Sequence, residues 1–294
     1  MFIINKMKKR ALLIGINYTS IPEYRLSGCI DDICYMRNIL IDAYGYGKSN
    51  IIMLRDDSEN PFLMPTYENI MRELNDIASS NSDEIWIQYS GHGTQFQNVT
   101  DKSLMDNVIV PIDYYKNYIY DYDIYKILLK IRCRAILIFD CCHSGSVGNL
   151  PSTFMMDNKN IITIHNTNNM TNPNIYLLSG CKDNQTSSDE FNKDLYNDVG
   201  VFSNAFNECL RDSNNQIDIM TLYKNICNNL IANGYSQRPV LSCSTNMPNH
   251  VFSRYCENNI KNVVKNASIN NTINTNTFKK NIMRNRMNSV IKNI

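Results

Sequence analysis

The chain predicts an α/β fold: a mainly parallel central sheet with helices on both faces. Three observations carry this. Short continuous apolar runs, such as Ala11-Leu12-Leu13-Ile14 and Ala135-Ile136-Leu137-Ile138-Phe139, have no polar alternation and read as strands covered on both sides. Segments of helical period separate them, so the crossovers between parallel strands are helices. Two of the runs stop at turns rich in small residues, Ser90-Gly91-His92-Gly93 and Asp140-Cys141-Cys142-His143-Ser144-Gly145. In an open parallel sheet such turns lie at the carboxyl edge, where functional groups gather.

Residues 11–16 form the first strand, and residues 29–41 a helix with Ile33, Met36 and Leu40 on one side. Residues 50–54 are a short strand. Residues 66–79 are a helix, with Ile70, Leu74 and Ile77 at i, i+4 and i+7. The strand that ends at Ser90 follows, then a minor strand at 108–111. Ile124, Ile127, Leu128 and Ile131 give a helix over 121–131, and the strand ending at Asp140 closes a large block, residues 1–150. Residues 151–173 are rich in Asn, Met and Thr between Pro151 and Pro173 and read as a flexible connection. A smaller block of the same domain, 174–257, carries strands at 175–179 and 239–242 and helices at 201–210 and 217–231. Residues 258–294 are a basic, Asn-rich tail without useful periodicity, read as disordered or as a loosely docked helix near 281–292.

Composition narrows the function classes. The 294 residues are 43% hydrophobic with a formal net charge of +1. The tail holds seven Lys or Arg and no acid, which leaves the body at about −6. A nucleic-acid surface is therefore not expected. The chain has ten cysteines, none in a Cys-x-x-Cys pair, and four histidines spread along it. That argues against a zinc centre and a disulfide scaffold and for buried thiols in a reducing, cytoplasmic setting. The first residues are too short for a secretory leader, and no run approaches the ~18 apolar residues of a membrane span.

The chemistry sits at the two turns. His92 and Cys142 are 50 residues apart and each follows a buried strand. A thiol must lose its proton to attack a carbonyl, and an imidazole across the same cleft can take it. Gly91, Gly93 and Gly145 let backbone N–H groups approach a substrate. Cys141-Cys142-His143 cannot hold a metal unaided, because neighbouring residues cannot supply a tetrahedral set. His143 adjoins the nucleophile at a tight turn and has a structural role; His165 and His250 read as solvent residues.

These two turns resemble those of the metacaspases, cysteine peptidases of caspase-like fold. Ala11 to Tyr18, Leu26-Ser27-Gly28-Cys29 with Asp31-Asp32, and Ser179-Gly180-Cys181-Lys182-Asp183-Asn184-Gln185 agree as well, so the resemblance covers about residues 8–255. It implies Cys142 as nucleophile, His92 as general base, Cys141 as a neighbour turned into the core, and the N–H groups of Gly93 and Cys142 as the oxyanion hole. It places Cys29, Asp32, Ser90 and Asp140 in the substrate pocket. Two carboxylates there favour a guanidinium or ammonium and repel an aspartate, so protein or peptide substrates with Arg or Lys before the cut are expected. Asp32 also suits a helix start, where the dipole stabilises an acid. The alternative is a catalytically silent caspase-like binding module, against which the intact Cys–His pair argues.

The resemblance also implies calcium. Asp106 and Asp121 match its acids, Asp123 stands in where Tyr122 breaks the pattern, and Asn149 replaces a further acid. Each lost carboxylate weakens calcium binding, and solvated loop acids are an equal reading. Family members with this pattern usually carry a long N-terminal prodomain. Here about nine residues precede the first strand, so control is expected from residues 151–173, cut at Lys159. The family tends to be monomeric.

Overall fold

The computed structural model describes residues 7–102, 104–141, 148–157, 160–180 and 200–255. The chain runs through β1 (Lys9–Gly15), α1 (Cys29–Asp42), β2 (Ile51–Arg55), α2 (Tyr67–Ala78) and β3 (Glu84–Ser90). It continues through β4 (Gly93–Gln97), β5 (Met105–Ile109), β6 (Ile119–Tyr120), α3 (Asp121–Leu128) and β7 (Arg134–Asp140). Then follow β8 (Ser152–Asp157), β9 (Asn160–His165), β10 (Ile175–Ser179), α4 (Val201–Asp212), β11 (Ile217–Asp218), α5 (Ile219–Ala232), β12 (Val240–Cys243) and β13 (Val251–Phe252). Residues Met7–Arg254 form one compact unit.

Among the described residues the main sheet has eight strands in the order β2-β1-β3-β7-β10-β12-β8-β9. The first five are parallel to one another, and β12, β8 and β9 are added antiparallel. Period-two alternation divides each central strand between two cores. Ala11, Leu13, Trp86, Ile136 and Ile138 face α1, α4 and α5; Leu12, Ile14, Ile87, Leu137 and Phe139 face α2 and α3. Strands buried on both faces have no polar positions to spare, which is why the apolar runs are unbroken. After β1 the chain moves outward to β2, then returns to place β3 on the other side of β1. That reversal opens a crevice at the carboxyl ends of β1 and β3.

The helices start where local chemistry allows it. Thr66 caps α2 by accepting the Asn69 N–H at 3.2 Å, and Asp218 caps α5 by accepting that of Thr221 at 2.9 Å. A second sheet, β4-β5-β6, packs Ile109 and Ile119 into the α2/α3 core.

Two sequence expectations need correction here. Residues 151–173, read as a flexible connection, contain the hairpin β8–β9, which extends the main sheet through β12. Its signal is the alternation Ser152, Phe154, Met156, all buried, against the less buried Thr153 and Met155, and the Asn-rich composition hides it. Lys159 lies outside the described residues, as do Cys181 to Gln185 and the tail.

His250, read as a solvent residue, is 6% exposed. Its ring packs against Tyr176 and Phe252, with centroids at 5.4 and 4.5 Å. Glu84, Arg134 and Lys9 act on it electrostatically, and burial pushes the imidazole down to about 4. An unfolded histidine takes up its proton near pH 6.5 and the folded one only near 4. Stability is therefore lost as pH falls through that window. His250→Phe is expected to keep on the order of 2 kcal/mol that the wild type loses between pH 6.5 and 4.5. Thermal melts across that range check it; parallel curves for both proteins would refute it.

Candidate active site

Gly15 ends β1, and a Cβ there would lie 2.6 Å from the carbonyl oxygen of Cys29. Its absence lets the first turn of α1 sit against the strand end. Gly28 precedes the helix in the left-handed region, at φ 104°. Cys29 and Asp32 are thereby brought beside β3. The hydroxyl of Ser90 donates to Asp32 Oδ2 at 2.9 Å, and all three residues are buried.

Ser90 is paired with Asp140 across β3 and β7. By strand alternation Asp140 shares the α1/α4 face with Ile136 and Ile138. Its Oδ2 accepts the Ser203 backbone N–H at 3.0 Å, in the first turn of α4. Two glycines leave room around the acids: a Cβ on Gly180 would lie 3.2 Å from Asp140 Oδ1, and one on Gly200 3.3 Å from Asp32 Oδ1. Burial is the largest cause that raises both carboxyls, to about 7 for Asp32, where the charge of Asp140 adds to it, and to about 6 for Asp140. Among the described residues neither has a cationic partner. The structure thus brings Cys29, Asp32, Ser90 and Asp140 together as one buried acidic cluster, the lining expected of an anionic hollow.

His92 stands two residues past Ser90. Its Nε2 lies 2.8 Å from the carbonyl oxygen of Tyr24. A carbonyl can only accept, so Nε2 carries the hydrogen and the neutral ring keeps its lone pair on Nδ1. Burial holds the imidazole below its usual value. Behind the ring, Tyr18 packs at 4.7 Å between centroids, and its hydroxyl accepts the His92 backbone N–H at 3.2 Å. The Tyr89 hydroxyl donates to the His92 carbonyl at 2.7 Å, and Tyr18 donates to the carbonyl of Val110. Gly91 is required here, since a Cβ would lie 2.8 Å from the Tyr89 hydroxyl.

Gly93 opens β4 beside the histidine. Cys141 is buried in the core shared with α2 and α3. Cys142 and His143 lie outside the described residues.

The acids expected to hold calcium are engaged separately. Asp106 accepts from Asn98 at 2.8 Å, Asp121 accepts the Tyr122 N–H at 2.7 Å, and Asp123 pairs with Lys126 at 3.4 Å. Among the described residues no three His, Cys, Asp or Glu side chains are grouped to hold a metal. The three acids do not fit a calcium site as arranged, and no step below passes through a metal.

Residues 9–151 match the family described as metacaspase, peptidase C14 domain. Metacaspase-1 of Schizosaccharomyces pombe is 30% identical over 292 residues, covering 81% of this chain and 67% of that protein. Metacaspase-1B of Aspergillus oryzae is 30% identical over 289 residues, covering 81% and 68%. The chain belongs to the metacaspase family. As a family member it is a cysteine-type peptidase.

Its fold is shared more widely than its sequence. The crystal structure of protein GSU0716 from Geobacter sulfurreducens superposes with a TM-score of 0.58 at 20% identity, over 82% of this chain and 95% of that one. Caspase-1 from Spodoptera frugiperda gives 0.51 at 13% identity, over 81% and 87%. The metacaspase thus has the caspase-like architecture: a large, mainly parallel sheet between helical layers.

Several residues of the site have no local signal in the sequence. Ser203 reaches Asp140 across 63 positions, and Tyr24 reaches His92 across 68. Tyr18 was legible only as part of a matching segment; its role behind the histidine comes from tertiary packing.

Proposed function

We propose that the chain is an endopeptidase that cleaves after Arg or Lys, using Cys142 and His92. The Cys142 thiolate attacks the carbonyl carbon and the oxyanion is held by the N–H groups of Gly93 and Cys142. The C–N bond breaks as the leaving amine takes a proton from His92. Water, deprotonated by His92, then hydrolyses the thioester and regenerates the thiol. The groups named belong to one chain, so the monomer is taken as the active unit, acting in the reducing cytoplasm.

The observation that supports the specificity most is the burial of Asp32 beside Asp140, which we read as the floor of the hollow. Two desolvated carboxylates without a cationic partner among the described residues are an unfavourable arrangement in the resting protein. A substrate guanidinium or ammonium relieves it, whereas a carboxylate worsens it. The Ser203 hydroxyl lies against both acids and, by hydrogen bonding, offsets part of the rise that burial causes.

A panel of fluorogenic peptides differing only in the residue before the cut tests this. Arg and Lys substrates are expected to turn over at least about 100-fold faster than the Asp substrate. Fastest cleavage after Asp, or no cleavage of any, would defeat the proposal. Running the panel with and without calcium reports separately on Asp106, Asp121 and Asp123.

A further inference from the structure

A row of aromatic rings leads away from the catalytic histidine. The Tyr24 ring lies 6.3 Å from that of His92 and 5.6 Å from Tyr114. Tyr114 is followed by Tyr118 at 6.3 Å, Phe96 at 4.8 Å from Tyr118, and Tyr120 at 6.5 Å from Phe96. Tyr122 stacks on Tyr120 at 5.1 Å with 18° between planes. These side chains lie on the surface: Tyr24 is 49% exposed and Tyr122 46%, while Tyr114, Tyr118 and Tyr120 are half-buried. Core packing does not explain the row, because the β4–β6 sheet meets the core through Ile109 and Ile119.

The row carries its own electrostatics. Ring faces attract cations, and Lys126 already sits over the Tyr122 ring at 4.7 Å from its centroid. Residues 93–126 hold five acids against three lysines, and Asp106 and Asp123 both act on Tyr122.

Its position relative to the hollow decides what it meets. Asp32 and Asp140 lie on the α1/α4 side of the sheet, and the β4–β6 sheet lies on the α2/α3 side. His92 is at the edge between. In acyl transfer the base hands its proton to the leaving amine, so the departing segment passes the histidine. We propose that the ring row from Tyr24 to Tyr122 binds basic residues of the substrate on the leaving side of the cleaved bond. Arg stacks its planar guanidinium on these faces, and Lys places its ammonium over them. This inference rests on the peptidase reading above, and it adds a second zone of basic recognition separate from the hollow.

The test uses internally quenched peptides sharing one Arg before the cut. Two positions of the leaving segment carry Arg, Ala or Glu. With wild-type protein the Arg peptides are expected to show kcat/KM about tenfold above the Ala peptides, through KM, with the Glu peptides lowest. In Tyr118→Ser and Tyr122→Ser the Arg-to-Ala ratio should fall to about one. Equal rates for Arg and Ala in the wild type, or a ratio that survives both substitutions, would overturn the inference. The wild-type ratio decides even where a variant fails to fold. An Arg-aminocoumarin substrate, which has no leaving peptide, separates the two levels: no cleavage of it defeats the peptidase reading, whereas cleavage with no leaving-side preference defeats only the ring row.

Discussion

Cys142→Ala is expected to abolish turnover of Arg substrates, and His92→Ala to lower kcat/KM by about 10³–10⁴-fold, with folding retained in both. The imidazole is held by three neighbours, not one: the Tyr24 carbonyl fixes the tautomer, the Tyr18 ring packs behind it, and Tyr89 pins its carbonyl. Such a group has one orientation, with Nδ1 free to take a thiol proton. Because burial lowers its proton affinity, it stays neutral and competent as a base below the usual histidine range. In the proposed mechanism nucleophile and base act as a unit, so the double variant should be scarcely worse than Cys142→Ala alone. Kinetics of the single and double variants, with melting curves as the folding control, measure this. Full activity in Cys142→Ala would remove the proposed mechanism.

Asp32→Asn should lower kcat/KM on Arg substrates by about 100-fold and at the same time stabilise the protein at alkaline pH. The sign follows from the raised carboxyls. Below about pH 4 the acids are protonated in folded and unfolded chains alike, and the folded state loses nothing. As pH rises toward 6 and 7 the unfolded chain releases its protons first. Stability is then lost until the folded carboxyls have ionised as well. Removing one charge lifts that loss, on the order of 2 kcal/mol at pH 8 and nothing at pH 4. His250 works in the opposite direction over the same range, so the comparison is between variants and not along one curve. The acid limb of kcat/KM for Arg substrates should also follow the hollow more than His92, and move to lower pH in Asp32→Asn. A variant with unchanged pH profile and unchanged melting temperature at pH 8 would show that the two carboxyls are not coupled to cleavage.

The helices and the parallel strands could be read from the sequence because each obeys a single periodicity. Residues 175–179 become β10 and residues 29–41 become α1 because nothing non-local competes with their pattern. The hairpin β8–β9 was hidden by asparagines that suggest loops, although pairing with β12 outweighs their weak preference. His250 looked polar and therefore exposed, but Tyr176 and Phe252 enclose it from elements far away in the chain. Cys29, Asp32, Ser90 and Asp140 were grouped only by the metacaspase resemblance; the fold gathers them because each adjoins a strand end or a helix start. Ser203 was not among them, since it reaches Asp140 from the first turn of α4, 63 positions away.

The ladder of the central strands does not stop where the strands do. The Ile16 N–H reaches the Ser90 carbonyl at 3.0 Å, and the Gly91 N–H reaches that of Asp140 at 3.2 Å. The floor beneath the histidine is therefore hydrogen-bonded into the central ladder, and its amides should exchange with those strands and not fray on their own. Warming should silence the enzyme and melt its backbone in one cooperative event, and sequence changes made for heat resistance in the sheet interior would carry the working centre with them.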